Sequence, residues 1–175
     1  AVTSILRLAF SQSILRVKGI SIHSSCVAVD SKGYLFLGKS GTGKSTHARM
    51  WLQTYPDAEL LNDDNPTLRI VDGECLVYGT PWSGKTPCYK QRRLPVQAIV
   101  RLEQAPRNAF QPMNEIEAFS AVLPSCSVIQ SDENLQDLLY DTLIEITSKV
   151  KVGWMKCLPC PDAAICCAEG IKNIM

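Results

Sequence analysis

Short apolar runs, each cut off by Gly, Pro, Asn, Asp or Ser, recur along the chain and predict an alternation of strands and helices. Ile5 to Phe10 and Ile14 to Val17, parted by Ser11-Gln12-Ser13, predict an opening hairpin. Cys26 to Asp30, a turn at Ser31-Lys32-Gly33, and Tyr34 to Leu37 predict a second strand pair. From Ser45 to about Thr54 the residues suit a helix with Ala48, Met50, Trp51 and Leu52 on its apolar side. Glu59 to Leu61 reads as a strand, then Leu68 to Val71 and Cys75 to Tyr78 as a hairpin around Asp72-Gly73.

Residues 79–93, GTPWSGKTPCYKQRR, show no period, and an irregular stretch of that length usually carries function. Val96 to Leu102 returns to strand pattern, and a short helix is expected near Asn114 to Val122. A longer helix is expected after Ser131, where Asp132-Glu133-Asn134 form an acidic first turn and Leu135, Leu138, Leu139, Leu143, Ile144 and Ile146 form a core stripe. Lys151 to Leu158 predicts a last strand and Asp162 to Lys172 a closing helix after Pro159 and Pro161.

The chemistry sits where the second strand pair ends. Gly38-Lys39-Ser40-Gly41-Thr42-Gly43-Lys44-Ser45-Thr46 follows a strand and opens a helix. Gly38 and Gly43 let successive N–H groups turn inward on phosphate oxygens, and the helix dipole adds to the attraction. Lys44 would reach the β- and γ-phosphates, and the Ser45 hydroxyl would complete the shell of a magnesium ion. This is the phosphate-loop pattern, and it points to a nucleotide.

Phosphoryl transfer also needs a carboxylate near the metal, and Asp63 with Asp64 follows a short apolar run. One acid would hold magnesium and the other accept a proton; Asp-Asp-Asn-Pro is equally good turn chemistry. His23, before the strand at Cys26, would by itself pass for an ordinary histidine. Among Lys85, Lys90, Arg92 and Arg93, cations of the irregular segment, Lys85 stands out because Ser83-Gly84 beside it suits a small backbone anion nest.

The 175 residues are 46% hydrophobic and 20% charged, which fits a single globular domain over residues 1–175 and excludes a largely disordered chain. A net charge of +1 argues against nucleic acid or an anionic membrane as the main partner, and no apolar stretch reaches bilayer length. The eight cysteines are scattered in a chain large enough to fold without staples, which favours a cytoplasmic location. Cys157, Cys160, Cys166 and Cys167 leave open either a zinc site or a strand end followed by buried helix cysteines.

The string FLGKSGTGKST, with His23 fifteen positions before Gly38 and Asp63-Asp64 about twenty after Lys44, resembles the kinase domain of HPr kinase/phosphorylase. The resemblance spans nearly the whole chain. It implies an α/β fold with a mixed, partly antiparallel sheet and flanking helices, shared with phosphoenolpyruvate carboxykinases. It further implies ATP and magnesium as cofactors, Lys44 on phosphates, Ser45 and Asp63 on the metal, Asp64 as general base and His23 helping to position the phosphoryl group or the base. GTPWSGK, LPVQAIVRLEQAP and the late Cys-Pro-Asp look more like the small HPr-kinase-like proteins of peptide or metabolite modification systems.

The glycine- and arginine-bearing segment with which the HPr enzyme meets its protein substrate has no counterpart here, which argues against HPr itself as acceptor. The expected activity is therefore a kinase acting on a hydroxyl of a protein, peptide or small molecule. A non-catalytic nucleotide sensor or assembly partner and a nucleotide hydrolase are the alternatives, and assembly into a homo-oligomer stays open.

Overall fold

In the computed structural model residues 2–84 and 86–174 are described, and among them nine strands build one mixed sheet. Its hydrogen-bonded order is β1 (Gly19–Ser21), β5 (Thr67–Val71), β6 (Glu74–Tyr78), β7 (Arg93–Gln104), β3 (Lys32–Leu37), β2 (Ser24–Val29) and β4 (Glu59–Asn62). β7 changes neighbour along one edge: Arg93, Leu94 and Pro95 pair with β6, whereas from Ala98 onward it pairs with β9 (Lys151–Cys157). β8 (Ala109–Pro112), unforeseen in the polar stretch before Asn114, covers the outer edge of β9. Among the described residues only the β3–β7 and β7–β9 pairs are parallel. The expected mixed, partly antiparallel α/β class is the one the chain adopts.

The central strands are apolar on both faces because helices cover both, as buried parallel strands require. Leu35 and Leu37 of β3 and Ile99 of β7 pack toward α3 (Glu115–Val122) and α4 (Glu133–Lys149). Phe36, Ala98 and Val100 face α2 (Lys44–Thr54) and α5 (Pro161–Lys172), where Trp51, Ala163 and Cys167 close the second core. Asn114 and Glu117 form a reciprocal capping box on α3, and Asp132 caps α4 by accepting the Leu135 N–H at 3.1 Å. In the α4 stripe Leu135, Leu139, Leu143 and Ile146 are buried, but Ile144 faces solvent at 57% exposure, since it falls on the far side of the helix.

The opening hairpin is not formed. Val2–Ser13 is a helix, α1, followed by a tight helical turn at Ile14–Val17. Its inward residues are Arg7, Phe10 and Ser11, at helical spacing, while Ile5 at 67% and Leu6 at 58% exposure point outward. The apolar run within α1 therefore does not mark its buried face, whereas in the turn that follows Leu15 is buried at 1% exposure. The β2–β3 turn is also one residue earlier than expected, with Asp30 and Ser31 at positive φ (49° and 58°) and Lys32 and Gly33 already in β3. The Asp72-Gly73 hairpin forms as expected.

His47 lies inside the second core on α2, where its Nε2 accepts the Trp51 indole N–H at 3.1 Å and its ring meets Phe36 edge-on. Burial pushes its pKa down to about 4. The unfolded chain takes up this proton first as pH falls, so His47 contributes fully above the ordinary histidine range and its contribution is lost toward the folded value. Stability should fall by about 2 kcal/mol between about pH 7 and pH 5 from this group alone. Urea unfolding of wild type and His47→Gln, which keeps an acceptor for Trp51, checks this: the variant should show a correspondingly flatter pH dependence.

Candidate functional site

β2 runs antiparallel to both β3 and β4, with Ser24 opposite Leu37 and Cys26 opposite Asn62. The start of β2 and the ends of β3 and β4 therefore share one edge of the sheet, which brings His23, Gly38 and Asp63-Asp64 together although they lie far apart in sequence. The C-terminal ends of β7 and β9, parallel to β3, border the same edge on the other side.

Residues 38–43 curl from the end of β3 into α2. Gly41 and Gly43 sit at φ of 83° and 103°, a region that costs side-chain-bearing residues strain, and Gly43 is the residue from which α2 departs. The first helical bond runs from His47 N–H to Gly43 O at 2.8 Å, so the N–H groups of Lys44, Ser45 and Thr46 open toward the loop. Lys44 folds back, its Nζ donating to Gly38 O at 2.9 Å and to Lys39 O at 3.4 Å. Ser40, Gly41 and Ser45 are exposed, and Thr42 closes the curl through its N–H on Lys39 O at 3.1 Å. Gln104, at the end of β7, donates its amide to Gly41 O and Thr42 O.

The acids occupy different surroundings. Asp63 is 9% exposed, and its Oδ1 accepts the Ser25 hydroxyl at 2.5 Å. Asp64 is more open: its Oδ1 lies 3.6 Å from His23 Nδ1, and its Oδ2 lies 3.5 Å from an Arg7 guanidinium nitrogen and accepts the Asn65 amide at 2.7 Å. Asn62 fixes the turn that carries both, its Oδ1 accepting the N–H groups of Asp64 and Asn65 at 3.0 and 2.9 Å.

Electrostatics bind these groups into one constellation. Burial lowers the Lys44 pKa, opposed by the charges of Asp64 and Asp63. Burial also lowers that of His23, reinforced by Lys44 and Arg7 and opposed by Asp64. The sign of each contribution predicts a mutant series: Asp64→Asn should lower the His23 pKa further, and Arg7→Ala should raise it. Proton NMR titration of the imidazole reads both, and shifts in the opposite senses would separate His23 from these charges.

The irregular segment meets the acid corner through its first residues. Asn62 Nδ2 donates to Thr80 O and, at 3.1 Å, to Trp82 O. Gly84 passes so close that a Cβ there would lie 2.9 Å from Asp63 O. Phe10 of α1 stacks on Trp82 with ring centroids 5.1 Å apart, which places α1 against this segment and Arg7 on Asp64. Lys85, expected to contact phosphate, lies outside the described residues. Lys90 and Arg92 instead pair with Glu59, and Arg93 begins β7.

Three neighbours of the acids escaped the sequence reading. Arg7 lay in a run taken for a strand, and Ser25 and Asn62 are polar residues at ordinary strand positions whose partners lie across the sheet or in a distant loop. The cysteine tail places Cys157 at the end of β9, Cys160 just before α5, and Cys166 and Cys167 on α5; all eight cysteines are unpaired. Among the described residues no helix is long and apolar enough to cross a membrane.

No protein-family model matches the chain, and no curated protein matches it in sequence. Among solved structures, the HPr(Ser) kinase/phosphatase from Coxiella burnetii is similar at 11% sequence identity, covering 87% of this chain and 94% of that chain with a TM-score of 0.47.

Proposed function

We propose that this chain is an ATP-dependent, cytoplasmic phosphotransferase, a single catalytic unit that moves the γ-phosphoryl group to a hydroxyl of a small protein, peptide or metabolite. The observation that carries the reading is the meeting of Lys44, Asp63, Asp64 and His23 at one sheet edge beside a glycine-rich curl whose helix-end N–H groups face outward. Polyphosphate would lie on the N–H groups of residues 38–46, with Lys44 leaving its carbonyl partners for the β- and γ-oxygens. The Lys44 ammonium, held on Gly38 O and Lys39 O, brings its charge to the loop that carries these N–H groups.

The donor set fits magnesium. Among the described residues no three His, Cys, Asp or Glu side chains form a metal cage, and magnesium carried in with phosphates needs only one or two carboxylates and a hydroxyl. Ser45 and Asp63 would supply these, Asp63 with the oxygen that Ser25 leaves free. When bound, the ion would neutralise charge on the bridging phosphate oxygens.

Asp64, the more accessible acid, would take the proton of the acceptor hydroxyl as that oxygen bonds to the γ-phosphorus and the bond to the β-phosphate oxygen breaks, releasing ADP. His23, with its pKa lowered, would stand neutral beside Asp64 and orient it. Incubation of the protein with γ-labelled Mg-ATP and a cell extract, followed by mass identification of labelled species, tests the reading. Label on a hydroxyl supports it; label only in inorganic phosphate makes the protein a hydrolase; bound nucleotide with no turnover makes it a sensor.

A further inference from the structure

The phosphate loop is bordered by two cavities on the side away from the acids, and they differ in chemistry. The larger, about 500 Å³, touches the front of the loop and is walled by Arg101, Glu103 and Trp154. The other is a cleft of about 260 Å³ between the first turns of α2 and the segment after β9, with Thr46 and Met50 on one wall and Leu158 and Pro159 on the other. We propose that this second cleft receives the base of the bound nucleotide, an inference that rests on reading residues 38–46 as a phosphate cradle.

The direction of the phosphate chain decides between them. The transferable end must lie by Lys44 and the acids, on the β2–β4 side. The remaining phosphates then follow the outward N–H groups along α2 toward Thr46, and what is attached to the last phosphate arrives at the cleft that Thr46 lines. A base is a flat ring with apolar faces and a polar rim. The Met50 thioether, Leu158 and Pro159 offer soft apolar walls for those faces, while the larger cavity would require a neutral ring to displace water from Arg101 and Glu103.

Gln104 connects the two subsites, because it lines the cleft and its amide holds the loop carbonyls of Gly41 and Thr42. With its nitrogen committed there, its free oxygen is an acceptor for a base N–H.

Calorimetry on the full chain with Mg-ATP and with magnesium tripolyphosphate, which shares the phosphates and lacks the nucleoside, tests the assignment. Wild type should bind ATP at least ~10-fold more tightly than tripolyphosphate. Met50→Trp and, separately, Leu158→Trp should bring ATP down to the tripolyphosphate affinity and leave tripolyphosphate binding unchanged. Leu158 lies in a partly exposed connection, so its replacement keeps the test alive if the helix variant fails to fold. Equal affinities in wild type, or ATP binding untouched by both tryptophans, would overturn the base site while leaving the phosphate cradle standing. Absence of tripolyphosphate binding would instead remove the cradle, and the base site with it.

Discussion

Lys44→Ala is expected to reduce Mg-ATP affinity by ~100-fold or more and to bring phosphoryl transfer to background. A charge-assisted hydrogen bond contributes about 1.5–3 kcal/mol, and Lys44 is placed to make two such contacts in place of those it now makes to Gly38 O and Lys39 O. The variant should fold, because the two carbonyls it frees lie on a loop open to water, and an unchanged melting temperature would separate lost binding from lost structure. Tight Mg-ATP binding by a well-folded Lys44→Ala protein would refute the cradle.

The second large effect is on chemistry alone. Asp64→Asn keeps the side chain's shape and its acceptor oxygen for Asn65 but removes its basicity. Transfer should fall by a factor of ~10² to 10⁴, the usual contribution of a positioned general base, while nucleotide affinity stays within a few-fold of wild type. Single-turnover transfer beside equilibrium binding reads the two separately. Asp63→Asn should behave differently, weakening the magnesium dependence of binding as well, because Asp63 is the buried acid anchored by Ser25. Wild-type transfer by the Asp64 variant would move the base elsewhere.

The glycine-rich curl of residues 38–43 could be read in the sequence because its geometry is encoded locally: positive φ at 41 and 43 calls for glycine, and the strand before and helix after follow from neighbouring residues. The Asp72-Gly73 hairpin and the α4 stripe were legible for the same reason. What depends on contacts across the fold was not. The change of neighbour along β7, the strand β8, and the bonds from Ser25 and Asn62 arise only after the sheet assembles.

α1 was misread on a different ground. Apolar runs mark a buried face only where the helix packs its apolar side inward, and here Arg7 and Ser11 take that side. Its helical periodicity was therefore present but pointed the wrong way, and the short apolar runs looked like strands.

That reversed helix has an energetic consequence. Lifting α1 off would uncover a guanidinium, a hydroxyl and the Phe10–Trp82 stack, of which only the stack carries an appreciable apolar cost, since the leucines and isoleucine of α1 already face solvent. The wall that stands over Asp64 is accordingly tied down by one aromatic pair, one ion pair and the Ile129 N–H on Gln12 Oε1, rather than by an apolar helix face.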